Sequence, residues 1–98
     1  MKVASRTIVQ IKPEKQKEVD SFMKDKAGQI SSIEGLITWG YINTGENEIT
    51  VIAVYDSQGD AENATPYVNT VLADAASLVV APPVRNIYEA HWLSLIHI

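Results

Sequence analysis

The chain is predicted to be an α+β domain of ferredoxin-like βαββαβ order, with a four-stranded antiparallel sheet and two helices on one of its faces. Two observations lead there. The hydropathy periods run strand, helix, strand, strand, helix, strand along the 98 residues, and a split pair of βαβ crossovers is the arrangement that places both helices on one side of one sheet. The strands also carry apolar residues on both faces, so the face away from the helices needs a cover, and a second copy of the chain is the expected one.

Each element has its own signature. Val3 to Ile11 alternates, with Val3, Ser5, Thr7, Val9 and Ile11 on one side and Ala4, Arg6, Ile8 and Gln10 on the other, the period of a strand. Lys12-Pro13-Glu14 suits a helix start, since proline lacks only an N–H that would be unpaired there. Val19, Phe22, Met23, Ala27, Ile30 and Ile33 then recur at helical steps, while Lys15, Lys17, Lys24, Asp25 and Lys26 stay off the stripe. Gly35 ends this run as a residue that tolerates positive φ. Leu36 to Asn43 places Ile37, Trp39, Tyr41 and Asn43 on one side of a second strand. The turn cluster Thr44-Gly45-Glu46-Asn47 joins it to the β-branched run Ile49 to Tyr55, giving a hairpin.

After Asp56 the chain leaves the sheet. Ser57 can cap a helical turn, but Pro66 removes a donor from any helix that passes through it. The expectation is a short turn over Gln58 to Asn63, then a helix restarting with Thr65 as its cap and Pro66 in its first turn. Val68, Val71, Leu72, Ala75, Leu78 and Val79 keep helical spacing until Pro82-Pro83. Val84 to Leu93 is the fourth strand, with Arg85, Ile87, Glu89 and His91 on one side and Asn86, Tyr88 and Trp92 on the other. Residues 1–93 thus form one domain. Residues 94–98 either prolong the last strand or are a non-native end to the reading frame.

Composition narrows the classes of function. Twelve acidic residues against eight basic ones, with no basic stripe, argue against nucleic acid as a partner. There is no cysteine, which excludes disulfides, thiolate metal sites and a cysteine nucleophile. Two histidines without clustered carboxylates argue against a transition-metal site, so no metal is expected. The sequence has no apolar run long enough to span a bilayer, and the expectation is a cytoplasmic protein with no membrane partner.

Ile33-Glu34-Gly35-Leu36, the aromatic strand Thr38-Trp39-Gly40-Tyr41-Ile42-Asn43, Val54-Tyr55-Asp56-Ser57 with Ala61-Glu62-Asn63-Ala64 after it, and Pro82-Pro83-Val84 together carry a resemblance. Over nearly its whole length the chain resembles the dimeric α/β-barrel superfamily, in particular its antibiotic-biosynthesis-monooxygenase-like branch. That resemblance implies a homodimer in which two ferredoxin-like sheets face each other. It implies pockets between sheet and helices for small aromatic or polyketide-like molecules, and in some members oxygenation without metal or flavin. Related haem-degrading members use an asparagine on the first strand, a tryptophan, and a histidine on the second helix. Here the first strand offers Arg6 and Thr7, the second helix has no histidine, and the tryptophans fall on the second and fourth strands. Haem degradation is not implied.

Several residues are candidates for chemistry. His91 is the only histidine of residues 1–93; it is a candidate general base, with Glu89 on the same strand face to hold its tautomer. A lone histidine without a metal partner more often makes a plain interfacial hydrogen bond, and that is the favoured role. Trp39 and Tyr41 share a strand face and can wall a flat aromatic ligand or fill a dimer interface. Asn63 and Tyr67 stand four apart near the second helix start, where related oxygenases place polar residues over the pocket. Arg6, in mid-strand, needs solvent or a carboxylate, and Glu89 on the neighbouring fourth strand is the expected partner, with anion binding as the other role. The functional expectation is a cofactor-independent monooxygenase for an aromatic or polyketide-like molecule; the alternative is a non-catalytic ligand-binding or structural dimerisation module.

Overall fold

The computed structural model describes residues 1–91 and residue 93; the expectations for Trp92 and residues 94–98 lie outside these. The elements run β1 (Val3–Gln10), α1 (Gln16–Ser31), β2 (Leu36–Gly45), β3 (Glu48–Tyr55), α2 (Gln58–Asp74), a short 3-10 turn (Ala76–Leu78) and β4 (Val84–Glu89). The sheet order is β2-β3-β1-β4 with every pairing antiparallel. This is the expected βαββαβ fold. No helix among the described residues is long and apolar enough to cross a membrane.

Register decides what each face carries. Val3, Ser5, Thr7 and Val9 of β1 stand opposite Tyr55, Ala53, Val51 and Ile49 of β3, and Thr7 stands opposite Arg85 of β4. This side is buried under the helices. Val9, Ile49, Val19 and Met23 form one part of the core; Val3, Ala53, Tyr55, Ala61 and Ala64 form the other. The opposite side holds Arg6, Ile8 and Gln10, and it leaves Ile8, Ile42, Val84 and Tyr88 between 40% and 66% exposed. β2 lies at the rim and has irregular register between Leu36 and Thr38 and again between Asn43 and Gly45.

Four expectations are corrected. α1 begins at Gln16, not at Pro13, because the chain stays tied to the sheet end: Lys12 N–H donates to the Leu78 carbonyl at 2.9 Å. The direction then changes through Glu14 at φ 69 and a Lys15-to-Lys12 turn bond of 3.1 Å. β4 ends at Glu89 instead of running on to Leu93. α2 is continuous from Gln58 to Asp74, with Pro66 inside it. Ser57 is its cap, accepting from the Asp60 N–H at 3.1 Å and donating to Asp60 Oδ2 at 3.0 Å. Burial of Ala61 and Ala64 before the proline and of Val71 after it holds both halves on the sheet, so tertiary packing outweighs the lost helix bond. Finally, Arg6 does not pair with Glu89. Glu89 stands opposite Val3, on the helix side, whereas Arg6 lies on the open side and donates to the Tyr88 hydroxyl at 3.2 Å.

Gly35 does what the sequence suggests, although α1 ends earlier, at Ser31. Its φ is +81, and a side chain there would run into the Asp60 carboxylate. The glycine therefore lets the cap of α2 sit against the start of β2.

Candidate ligand site between sheet and helices

The sheet and helices do not close completely on one another. They leave a cavity of about 90 Å³ walled by Phe22, Met23 and Ile30 of α1, Tyr67, Val68 and Val71 of α2, and Trp39 of β2. Its floor is the inward row of β1 and β3 with Arg85 of β4. Almost all of this lining is apolar. The polar groups are therefore few and placed at definite points.

Arg85 is the principal one. Its register opposite Thr7 aims it inward, and its guanidinium reaches α2, where it donates to Thr65 Oγ1 at 2.8 Å and to the Ala61 carbonyl at 3.0 Å. It also donates to the Tyr55 hydroxyl at 3.4 Å, with its carbon 5.7 Å from the centre of the Tyr55 ring. Thr65 thus anchors an arginine, where the sequence suggested a helix cap. A guanidinium has five N–H donors, and a half-buried charge is costly without a counter-charge. Among the described residues no carboxylate forms a salt bridge with Arg85.

Ser5 and Thr7 are the other polar groups of the floor. They are 4% and 5% exposed and lie between Val3 and Val9 in the inward row. A hydroxyl sealed off without a partner costs about 1–3 kcal/mol; among the described residues neither is in that state, and both lie on the cavity lining amid valines and alanines.

The expected site residues separate. Trp39 lines the cavity and is fixed by donating from Nε1 to Ser31 Oγ at 3.1 Å. Tyr67 lines it too, and its hydroxyl donates to Gln29 Oε1 of α1 at 3.4 Å. Tyr41 shares Trp39's face but lies outside the lining, donating to Asp20 Oδ1 at 3.1 Å. Its phenol pKa is raised, first by burial and then by the hydrogen bond to Asp20 and that carboxylate's charge. Asn63 is exposed on α2 and outside the lining. Arg6 is on the other face of the sheet. His91 follows β4 with its side chain 75% exposed, 3.5 Å from the Glu89 carboxylate and away from the cavity walls. The structure thus brings Trp39 and Tyr67 together and leaves Tyr41, Asn63, Arg6 and His91 apart from them.

Sequence reading missed Ser5, Thr7, Tyr55, Thr65 and Arg85 as site residues. For Ser5 and Thr7 a signal existed, since both interrupt an apolar row that alternation alone assigns to the core. For Arg85 the partners lie 20 to 30 residues away and only the fold joins them.

No family model matches the chain, and no curated protein matches it in sequence. Solved structures do match in shape. A protein of unknown function from Nitrosomonas europaea superposes with a TM-score of 0.82 at 18% identity, over 98% of this chain and 95% of that one. A protein described as an antibiotic biosynthesis monooxygenase from the same organism gives 0.79 at 13% identity, over 95% and 93%. An asparagine-to-alanine variant of SnoaB, a cofactor-independent oxygenase from Streptomyces nogalater, gives 0.75 at 14% identity, over 93% and 94%. At such identities the likeness is one of architecture: the chain has the ferredoxin-like α+β fold found in antibiotic-biosynthesis-monooxygenase structures.

Proposed function

We propose that the protein binds a small, flat, conjugated molecule with an acidic oxygen in the cavity between sheet and helices, and oxygenates it without a bound cofactor. The observation that carries the reading is Arg85: a cation with no carboxylate partner among the described residues, fixed by Thr65, Tyr55 and the Ala61 carbonyl at the edge of an apolar cavity. A ligand anion would supply the missing charge, and the low local polarity strengthens that attraction. Fold likeness to a cofactor-independent oxygenase supports the reaction class by analogy.

Size restricts the ligand. An apolar cavity of ~150 Å³ accepts benzene, so about 90 Å³ suits one ring after modest widening. Met23 can provide that through its flexible side chain. Fused-ring substrates would need the helices to part. With an enolisable ring bound, Arg85 stabilises the enolate and the proton leaves to water. The carbanion forms a C–O bond with dioxygen; the hydroperoxide takes up a proton and loses water to leave a carbonyl. One oxygen atom ends in product and the other in water, and the substrate carbon supplies all the electrons. The walls exclude bulk water from the radical or anionic intermediate.

A second reading, a binding module without turnover, is favoured by one observation: among the described lining residues there is no carboxylate or imidazole to act as base. Optical titration with 4-nitrophenol tests the shared core of both readings. Bound phenol should ionise at lower pH than free phenol, and Arg85→Met should abolish that shift. Unperturbed ionisation in the wild type would refute the site. Oxygen uptake with enolisable single-ring ketones separates the readings, and its absence across such a panel favours the module. We further propose that a second copy covers the open sheet face around Ile8, Ile42, Val84 and Tyr88.

A further inference from the structure

We propose that Ser5 and Thr7 are ligand-binding residues, forming with Arg85 a polar row that selects single-ring molecules carrying a hydroxyl besides the acidic oxygen. The proposal rests on the cavity reading above and narrows its substrate class. Both side chains are more than nine-tenths buried. Their strand neighbours cannot satisfy Ser5: Ala53 flanks it on β3 and Ile87 on β4, while Thr7 lies between Val51 and Arg85. Among the described residues neither hydroxyl is sealed off without a partner, because both open on the cavity. They are aimed at whatever occupies it.

Spacing fixes the kind of molecule. Residues two apart on a strand are separated by about 6.7 Å, and directly opposed side chains begin about 5 Å apart. Arg85, Thr7 and Ser5 therefore span roughly the width of one substituted ring. With the acidic oxygen at Arg85, a second hydroxyl on the ring falls along the row toward Thr7 and Ser5. Apolar wall residues such as Val68 and Val71 then cover the ring faces.

The test compares 4-nitrophenol with 4-nitrocatechol, which adds one hydroxyl, by anaerobic optical titration of the full chain. Wild type should bind the catechol about three- to tenfold more tightly, the worth of one hydrogen bond. The preference should be lost in Thr7→Val or in Ser5→Ala, whichever residue holds the added hydroxyl, and Thr7→Ser should retain it. Both apolar variants should melt at or above the wild-type temperature, since each puts an apolar group in an apolar wall in place of a hydroxyl that no protein group among the described residues bonds. Equal binding of the two probes by wild type, or a preference surviving in both apolar variants, would overturn the proposal while sparing the cavity reading. Failure to bind either probe would overturn both.

Discussion

Replacing Gly35 by alanine should be among the most damaging single substitutions outside the core. At φ +81 a residue with a side chain is strained, by roughly 1–2 kcal/mol. The new methyl would also overlap the Asp60 side chain, forcing its carboxylate off Ser57 and breaking the 3.0 Å bond it accepts from Ser57 Oγ beside the backbone cap of α2. Loss of that hydrogen bond costs about 1 kcal/mol. Together these give ~2–3 kcal/mol, a large share of the 5–15 kcal/mol typical for a whole domain. Urea unfolding followed by tryptophan fluorescence should show the midpoint falling by about 1–2 M. Repeating the substitution in an Asp60→Gly background removes the Asp60 Cβ together with the carboxylate, hence the overlap, and leaves only the backbone strain, so the added cost should drop to ~1–2 kcal/mol. Equal costs in the two backgrounds would refute the collision; a cost below ~0.5 kcal/mol would refute the strain as well.

Pro66→Ala should stabilise the domain, by up to about 3 kcal/mol, because it restores an N–H inside a continuous helix; an unchanged melting temperature would contradict this. Thr65→Val should lower the thermal stability of the fold while also weakening 4-nitrophenolate binding, because Arg85 loses its 2.8 Å anchor; binding equal to wild type would show that Thr65 does not hold the guanidinium for ligand. Tyr41 has a raised folded-state pKa, so its contribution to stability is fully present below the unfolded phenol pKa and is lost as pH rises through the folded value. Tyr41→Phe should accordingly flatten the alkaline end of the stability profile, read from urea midpoints at successive pH values. Light scattering at micromolar concentration should give a dimer mass, and Ile42→Lys, which puts a charge on the open sheet face, should yield monomer; a monomeric wild type would end the dimer proposal.

The fold was legible because it is written in periods that only a sheet with one-sided helices can satisfy. Gly35, the hairpin turn and Ser57 each speak through local backbone geometry, which neighbouring residues reveal. Pro66 misled for the same reason: its local effect is real, but contacts of Ala61, Ala64 and Val71 with the sheet override it. The site was harder to read. His91, Glu89 and Arg6 draw notice as polar residues in strands, yet which face a strand residue joins depends on register, and register is a relation between segments. Arg85 acquires meaning only when Tyr55 and Thr65 are brought to it by folding. Trp39 and Tyr67 were accessible to sequence reading because aromatic residues mark cavities and cores alike.

The rim strand β2 has a bearing on solution behaviour. From Leu36 to Gly45 it contains no charged residue and no proline, the usual devices that stop an exposed edge from recruiting further strands. Its two breaks in register, near Ile37 and near Thr44, stand in for those devices, since a bulge twists the edge and spoils straight pairing. Deleting both Ile37 and Thr44 would remove the two shifts and give β2 a flat, regular margin. Such a variant would be a candidate seed for sheet extension and fibre growth.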